Sequence, residues 1–167
     1  SHGPYYTFYS IYLEQHGYSR MLIGQLWALG VIAEVIIFLY MHRFLPHFGL
    51  RFVLILSLIL STLRWLLIGF FPDNLTILLF AQLLHAASFG TFHAAAIAWV
   101  HQHFVGKNQS RGQALYSSVG FGAGGVLGSL LSGYLWVSPG PTATFFMAAM
   151  TTVVASLIAL RWLKPTT

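Results

Sequence analysis

The sequence predicts an all-α integral membrane protein, and three observations lead there. Only 7% of its 167 residues are charged and 57% are hydrophobic, whereas a soluble domain carries roughly 25% charged residues. Five apolar runs are each long enough to cross a bilayer as a helix, at about 20 residues for ~30 Å of hydrocarbon. The breaks between them are short and turn-like, so no linker divides the chain into domains. The mean hydropathy of +0.73 also excludes disorder, which needs few apolar residues and many charges. Helices are preferred to strands because isolated strands leave their backbone unsatisfied in lipid, and the runs are too long for barrel strands.

The first apolar stretch, Pro4–Leu13, is about half a span and carries Tyr5, Tyr6, Phe8, Tyr9 and Tyr12. It has no initiator Met or basic n-region, so it does not read as a signal peptide. Its aromatic side chains suit a membrane helix lining a cavity. The plainest reading is a partial helix over about residues 1–13, the chain being a fragment of a longer protein; an interfacial segment is the alternative. After Gly17-Tyr18-Ser19 comes a span over 21–41. A break from Pro46 to Gly49 leads to a span over 52–71, and Pro72-Asp73-Asn74 to one over 75–104. Gly106 to Ser110 separates this from the span 114–137. Ser138-Pro139-Gly140-Pro141 precedes the last, whose apolar run is Ala143–Leu160 and whose helix reaches about residue 163.

The charges orient these spans. Alternating the connections puts Glu14, Arg20 and Asp73 on one face, and Arg43, Arg51, Lys107, Arg111, Arg161 and Lys164 on the other. The Lys/Arg excess marks the cytoplasmic face, so the C-terminus is expected inside. The net charge of +5 thus describes topology, and nucleic acid is not expected as a partner. Cysteine is absent, which excludes a disulfide framework and a thiolate metal site.

Two charges, Glu34 and Arg64, fall within spans, where an ionisable side chain faces the protein interior or a wet cavity. Each lies about seven residues from opposite ends of neighbouring helices, so they should differ in depth by about 10 Å. A direct ion pair then requires the Arg stem to reach inward, and a structural pair or a snorkelling Arg is the plainer alternative. At helical spacing Trp27, Gly30, Glu34 and Phe38 share a stripe, as do Ser57, Ser61 and Arg64. Gln82, Phe89 and His93 align, with His85 on the neighbouring edge. His2, Tyr5, Tyr9 and Tyr12 form a fourth stripe. Four polar or aromatic stripes on four helices point to a shared central cavity.

Three other patterns carry less. Gly120-Phe121-Gly122-Ala123-Gly124-Gly125-Val126-Leu127-Gly128 lacks the preceding strand of a nucleotide loop. Its glycines at 120, 124 and 128 instead repeat at the spacing that lets membrane helices approach closely. His101 and His103 have no further ligands nearby, so no metal site is expected. Asn74-Leu75-Thr76 fits a glycosylation triplet but abuts the membrane.

Residues Tyr5–Phe38 closely resemble the second half of phenylpropionate permease-like transporters of the major facilitator superfamily. Further blocks match in order: Arg64-Trp65, then Gln82-Leu83-Leu84-His85 with Phe89 and His93-Ala94-Ala95-Ala96, then Arg111-Gly112-Gln113-Ala114-Leu115-Tyr116-Ser117. The loop His42–Arg51 resembles a degraded form of the superfamily's cytoplasmic Gly/Arg loop. The resemblance implies the C-terminal six-helix bundle of a twelve-helix fold, over residues 1–167, with its first helix truncated. It also implies inverted three-helix repeats, a substrate site near mid-membrane and a place in the bacterial inner membrane. Glu34, Arg64 and His85 match in type and order an acid, an Arg and a His of the superfamily's lactose permease branch, which handle sugar and proton. That branch has a carboxylate three residues after its His, where this chain has Ser88.

These readings lead to proton-coupled uptake of a small aromatic carboxylate. Arg64 is expected to attract the carboxylate, with Tyr5, Tyr9, Trp27, Phe89 and Gln82 lining the substrate site. Glu34, with His85 or His93, is expected to carry the proton. The expected partners are a small-molecule substrate, protons, the lipid bilayer and an N-terminal six-helix half; no cofactor or metal is expected. A proton symporter for a neutral nucleoside or sugar is the alternative within transport. A membrane enzyme or haem carrier using His85 and His93 is the alternative outside it, but no nucleophile or complete metal shell can be assembled.

Overall fold

A computed structural model describes residues 1–163; Lys164, counted above on the basic face, lies outside the described residues. The described residues form six helices and no strand. They are α1 (Gly3–Gln15), α2 (Arg20–Phe48), α3 (Leu50–Phe70), α4 (Leu75–His103), α5 (Gly106–Val137) and α6 (Pro141–Trp162). The last five are each long and apolar enough to cross a membrane. Together with their all-helical packing, this is the architecture of a membrane helical bundle.

Local chemistry sets the boundaries. Ser19 caps α2 by accepting from the Leu22 amide, and Asn74 caps α4 by accepting from the Ile77 amide. Pro141 opens α6 at a position where its missing N–H costs nothing. Two expected breaks are corrected. Helix α2 continues through Pro46 to Phe48, and the chain turns at Gly49 alone, whose φ of +77° disfavours any residue with a Cβ. Helix α5 begins at Gly106 with a 3₁₀ turn over Gly106–Asn108, not near residue 114. Its polar first turns fell outside an apolar window yet continue the helix.

Two helices carry a π-helical segment, Ala86–Gly90 in α4 and Ser118–Ala123 in α5. Such wide turns occur often at functional sites and bend the helix that holds them.

Helix α3 is the packing centre. It runs against α6 along its length, where α6 presents Ala148, Ala149, Thr152, Ser156 and Ala159. Small residues let membrane helices approach, and hydroxyls add cross-helix bonds; Thr62 and Thr152 meet at 2.8 Å. The expected Ser57–Ser61–Arg64 stripe faces inward, all three residues being buried. Around the α3 axis one cluster joins Tyr5, Tyr9, Tyr12, Leu26, Trp65 and Phe145. A second, toward the other end, joins Met41, Leu50, Val53, Leu54, Ala95 and Ala96. The outer faces are apolar, with Leu39, Leu127 and Leu130 among the exposed side chains, as lipid requires.

The glycine repeat of α5 does less packing than its spacing suggests. A Cβ at Gly120 would meet nothing, and one at Gly124 only the helix's own Val119 carbonyl. The close approach occurs at Gly3 of α1, where a Cβ would fall 2.4 Å from the Gly128 backbone.

Candidate functional site

The centre of the site is Arg64 on α3, fully removed from solvent. Its guanidinium carbon lies 4.1 Å from the Tyr5 ring centroid and 4.5 Å from that of Trp65. Aromatic faces attract a planar cation, more strongly where water is excluded. Its Nε donates to the Ala81 carbonyl at 3.1 Å, while neither Nη has a hydrogen-bond partner. Among the described residues Arg64 has no ion pair, so a carboxylate partner is missing where a buried cation most needs one.

Tyr5 is fixed from α4. Its hydroxyl donates to Gln82 Oε1 at 2.8 Å, and the Gln82 amide donates in turn to the Tyr9 hydroxyl. Space for this arrangement comes from Gly30 on α2. A Cβ there would lie 3.0 Å from Gln82 Oε1 and 3.5 Å from the His85 ring. The Trp27 ring packs 4.4 Å from Tyr5, and its Nε1 donates to Ser10 Oγ at 3.0 Å.

On the α2 side of this cage, Glu34 Oε2 lies 3.4 Å from His85 Nε2. Glu34 therefore pairs with α4 and not with Arg64, which excludes the direct Glu34–Arg64 pair from this conformation. Nδ1 of His85 is buried without a partner. Phe89 stacks between His85 and His93, at 5.3 and 6.1 Å with interplanar angles of 6° and 7°. These three residues succeed one another at four-residue spacing on α4. The ladder ends at His93, whose Nδ1 is 3.2 Å from the Tyr116 hydroxyl of α5. Ser88 donates to the His85 carbonyl at 3.3 Å.

A cavity of about 430 Å³ borders the cage; its wall includes His2, Ser61, Ser88, Phe89, His93 and Tyr116. A larger groove of about 700 Å³ between α3, α4, α5 and α6 is lined by apolar side chains such as Leu54, Trp99 and Ile158. Among the described residues, no charged side chain lines it.

The structure thus brings Tyr5, Tyr9, Trp27, Glu34, Arg64, Gln82, His85 and Phe89 into one neighbourhood. His93 lies farther along α4. Sequence reasoning missed the structural part of Trp65, which flanks Arg64 although helical spacing turns consecutive residues about 100° apart. It also missed Gly30 as the source of room for Gln82; a glycine within a polar stripe was the available signal. No three His or acidic side chains among the described residues come together as metal ligands.

Residues 1–147 match the MFS_1 like family. The chain is 34% identical over 148 residues to the probable 3-phenylpropionic acid transporter of Escherichia coli (strain K12), covering 89% of this chain and 38% of that protein. It is 29% identical over 143 residues to the class B tetracycline resistance protein of Escherichia coli, covering 86% and 35%. Over 114 residues it is 28% identical to the xanthosine permease of Escherichia coli (strain K12), covering 65% and 27%. The chain therefore spans less than two-fifths of the length of these relatives. No solved structure matches it.

Proposed function

The chain belongs to the MFS_1 like family, a family of transporters and not of enzymes, and from that premise we propose that it is the C-terminal bundle of a proton-coupled importer of a small aromatic carboxylate. The observation that carries this reading is Arg64, a buried guanidinium with two unpartnered Nη groups inside a cage of aromatic rings. Such a fork matches a carboxylate bidentately, and the rings around it suit an aryl body. The name of the phenylpropionic acid relative supports the same class.

Proton coupling is assigned to Glu34 and His85. An acid and an imidazole in contact beside the anion site can pass a proton as the substrate's charge enters or leaves. Alternating access then rocks this bundle against an N-terminal half. The protein is placed in the bacterial inner membrane. Arg43, Arg51, Lys107, Arg111 and Arg161 face the cytoplasm together with the C-terminus.

Uptake by the intact transporter in proteoliposomes tests the proposal. Labelled 3-phenylpropionate is expected to accumulate when the exterior is the more acidic side, and unlabelled xanthosine is expected not to compete. No accumulation of 3-phenylpropionate, with labelled xanthosine taken up instead, would overturn it in favour of a neutral nucleoside substrate. The likeness to the xanthosine permease makes that the competing reading.

A further inference from the structure

We propose that Tyr5 is the cover of Arg64 and that Gln82 is the positioning residue that holds it shut, so that the anion site opens by displacement of one tyrosine. This departs from a role for Gln82 as a direct substrate ligand, and it rests on the reading of Arg64 as the anion-binding group.

The amide of Gln82 is already engaged on both sides. Its oxygen accepts from Tyr5 and its nitrogen donates to Tyr9, and the side chain has no exposure. Gln82 is enclosed by its neighbours, so a substrate could reach it only by displacing the side chains packed around it, Tyr5 and Tyr9 among them. The guanidinium carbon sits over the Tyr5 ring at 4.1 Å, and Tyr5 is itself 1% exposed. The two Nη groups are sealed from solvent yet have no hydrogen-bond partner. A buried charged donor without an acceptor is unfavourable, so the covered state holds binding capacity in reserve. Trp65 on the neighbouring position of α3 flanks the guanidinium on an adjacent side, its ring centroid 5.9 Å from that of Tyr5, and is fully buried. Tyr5 has the mobile role because it belongs to a different helix and is tied to α4 through one hydroxyl.

The energetic consequence has a definite sign. When a ligand binds only the uncovered state, its apparent dissociation constant is the intrinsic value divided by the uncovered fraction. Removing the Tyr5 hydroxyl deletes the tether and leaves Gln82 Oε1 without its donor, both of which favour uncovering. Tyr5→Phe should therefore tighten binding of a carboxylate, by about two- to tenfold for the loss of one net hydrogen bond. A substrate-binding role for the same hydroxyl predicts the reverse.

Arginine-selective modification tests the cover without any substrate. The intact transporter in detergent is treated with p-hydroxyphenylglyoxal, and the extent of modification at Arg64 is read by peptide mass spectrometry. Exposed Arg20 serves as the internal reference. Arg64 is expected to be protected in the native protein and to react at least several-fold faster in Tyr5→Phe and Gln82→Leu. Equal protection in both variants, or full reactivity in the native protein, overturns the cover. Affinity for 3-phenylpropionate is measured in parallel. Tighter binding by Tyr5→Phe supports the proposal, and weaker binding overturns it by making the hydroxyl a ligand. Reactivity as expected with no carboxylate binding in either protein leaves the cover standing and removes the aromatic-carboxylate function.

Discussion

Glu34 and His85 meet at 3.4 Å across α2 and α4, while Arg64, the fully buried cation of α3, has no acidic partner among the described residues. The two charges therefore sit in separate settings, one an acid–imidazole contact and the other an aromatic cage. This separation allows proton handling and anion binding to be tested one at a time.

Replacing Glu34 with Gln keeps a side chain able to hydrogen-bond His85 but removes the titratable group. In the intact transporter, uphill accumulation driven by a pH gradient is expected to fall to the equilibrium level, while substrate exchange at equal pH continues. Proteoliposome uptake and counterflow measure the two. Undiminished accumulation would exclude Glu34 as the proton carrier.

The two histidines of α4 are expected to differ. His85 touches Glu34, whereas His93 is bonded to Tyr116 and separated from His85 by the ring of Phe89. His85→Ala should lose most gradient-driven uptake, and His93→Ala should retain at least half of it. Initial rates with and without a pH gradient make the comparison.

Arg64→Met should show stability and function moving in opposite directions. A buried guanidinium with two unpaired donors is unfavourable for the fold, and a flexible apolar side chain removes that cost. The thermal midpoint in detergent is expected to rise, by about 2–4 °C for each kcal/mol relieved, while carboxylate binding is lost. A fall in the midpoint would mark Arg64 as chiefly structural.

Glycine substitutions should separate the tight crossing from the open stripe. Gly3→Ala places a Cβ 2.4 Å from the Gly128 backbone and is expected to cost more than about 1 kcal/mol, as overpacking does. Gly120→Ala meets nothing in this bundle and should be neutral or stabilising by up to about 1 kcal/mol, because alanine favours the helix. Thermal unfolding of this chain in detergent ranks the pair.

Much of the architecture was legible because lipid enforces it. A 20-residue apolar run has few alternatives to a spanning helix, and the runs at 52–71 and 75–104 fall within a residue or two of α3 and α4. The misjudged boundaries, Pro46 and Gly106, lie where the chain leaves the apolar region and helix formation no longer depends on hydropathy. The inward stripe of Ser57, Ser61 and Arg64 was also legible, since period fixes which residues share a face. Which acid meets which base was not. Separation along two helix axes leaves their rotation and the reach of each side chain open, so Glu34 could be placed in depth but not paired.

The sequence by itself determined that this chain crosses a membrane, where its helices run and which few polar residues lie inside them. Those follow from hydropathy, periodicity and charge placement, all of which are local properties. Only the tertiary structure decided that Glu34 contacts His85, that Tyr5 and Trp65 pack against Arg64, and that Gln82 ties Tyr5 to Tyr9. These contacts depend on how four helices are rotated against one another, and that rotation is fixed by packing across the whole bundle, through small residues such as Gly30 and the face of α6.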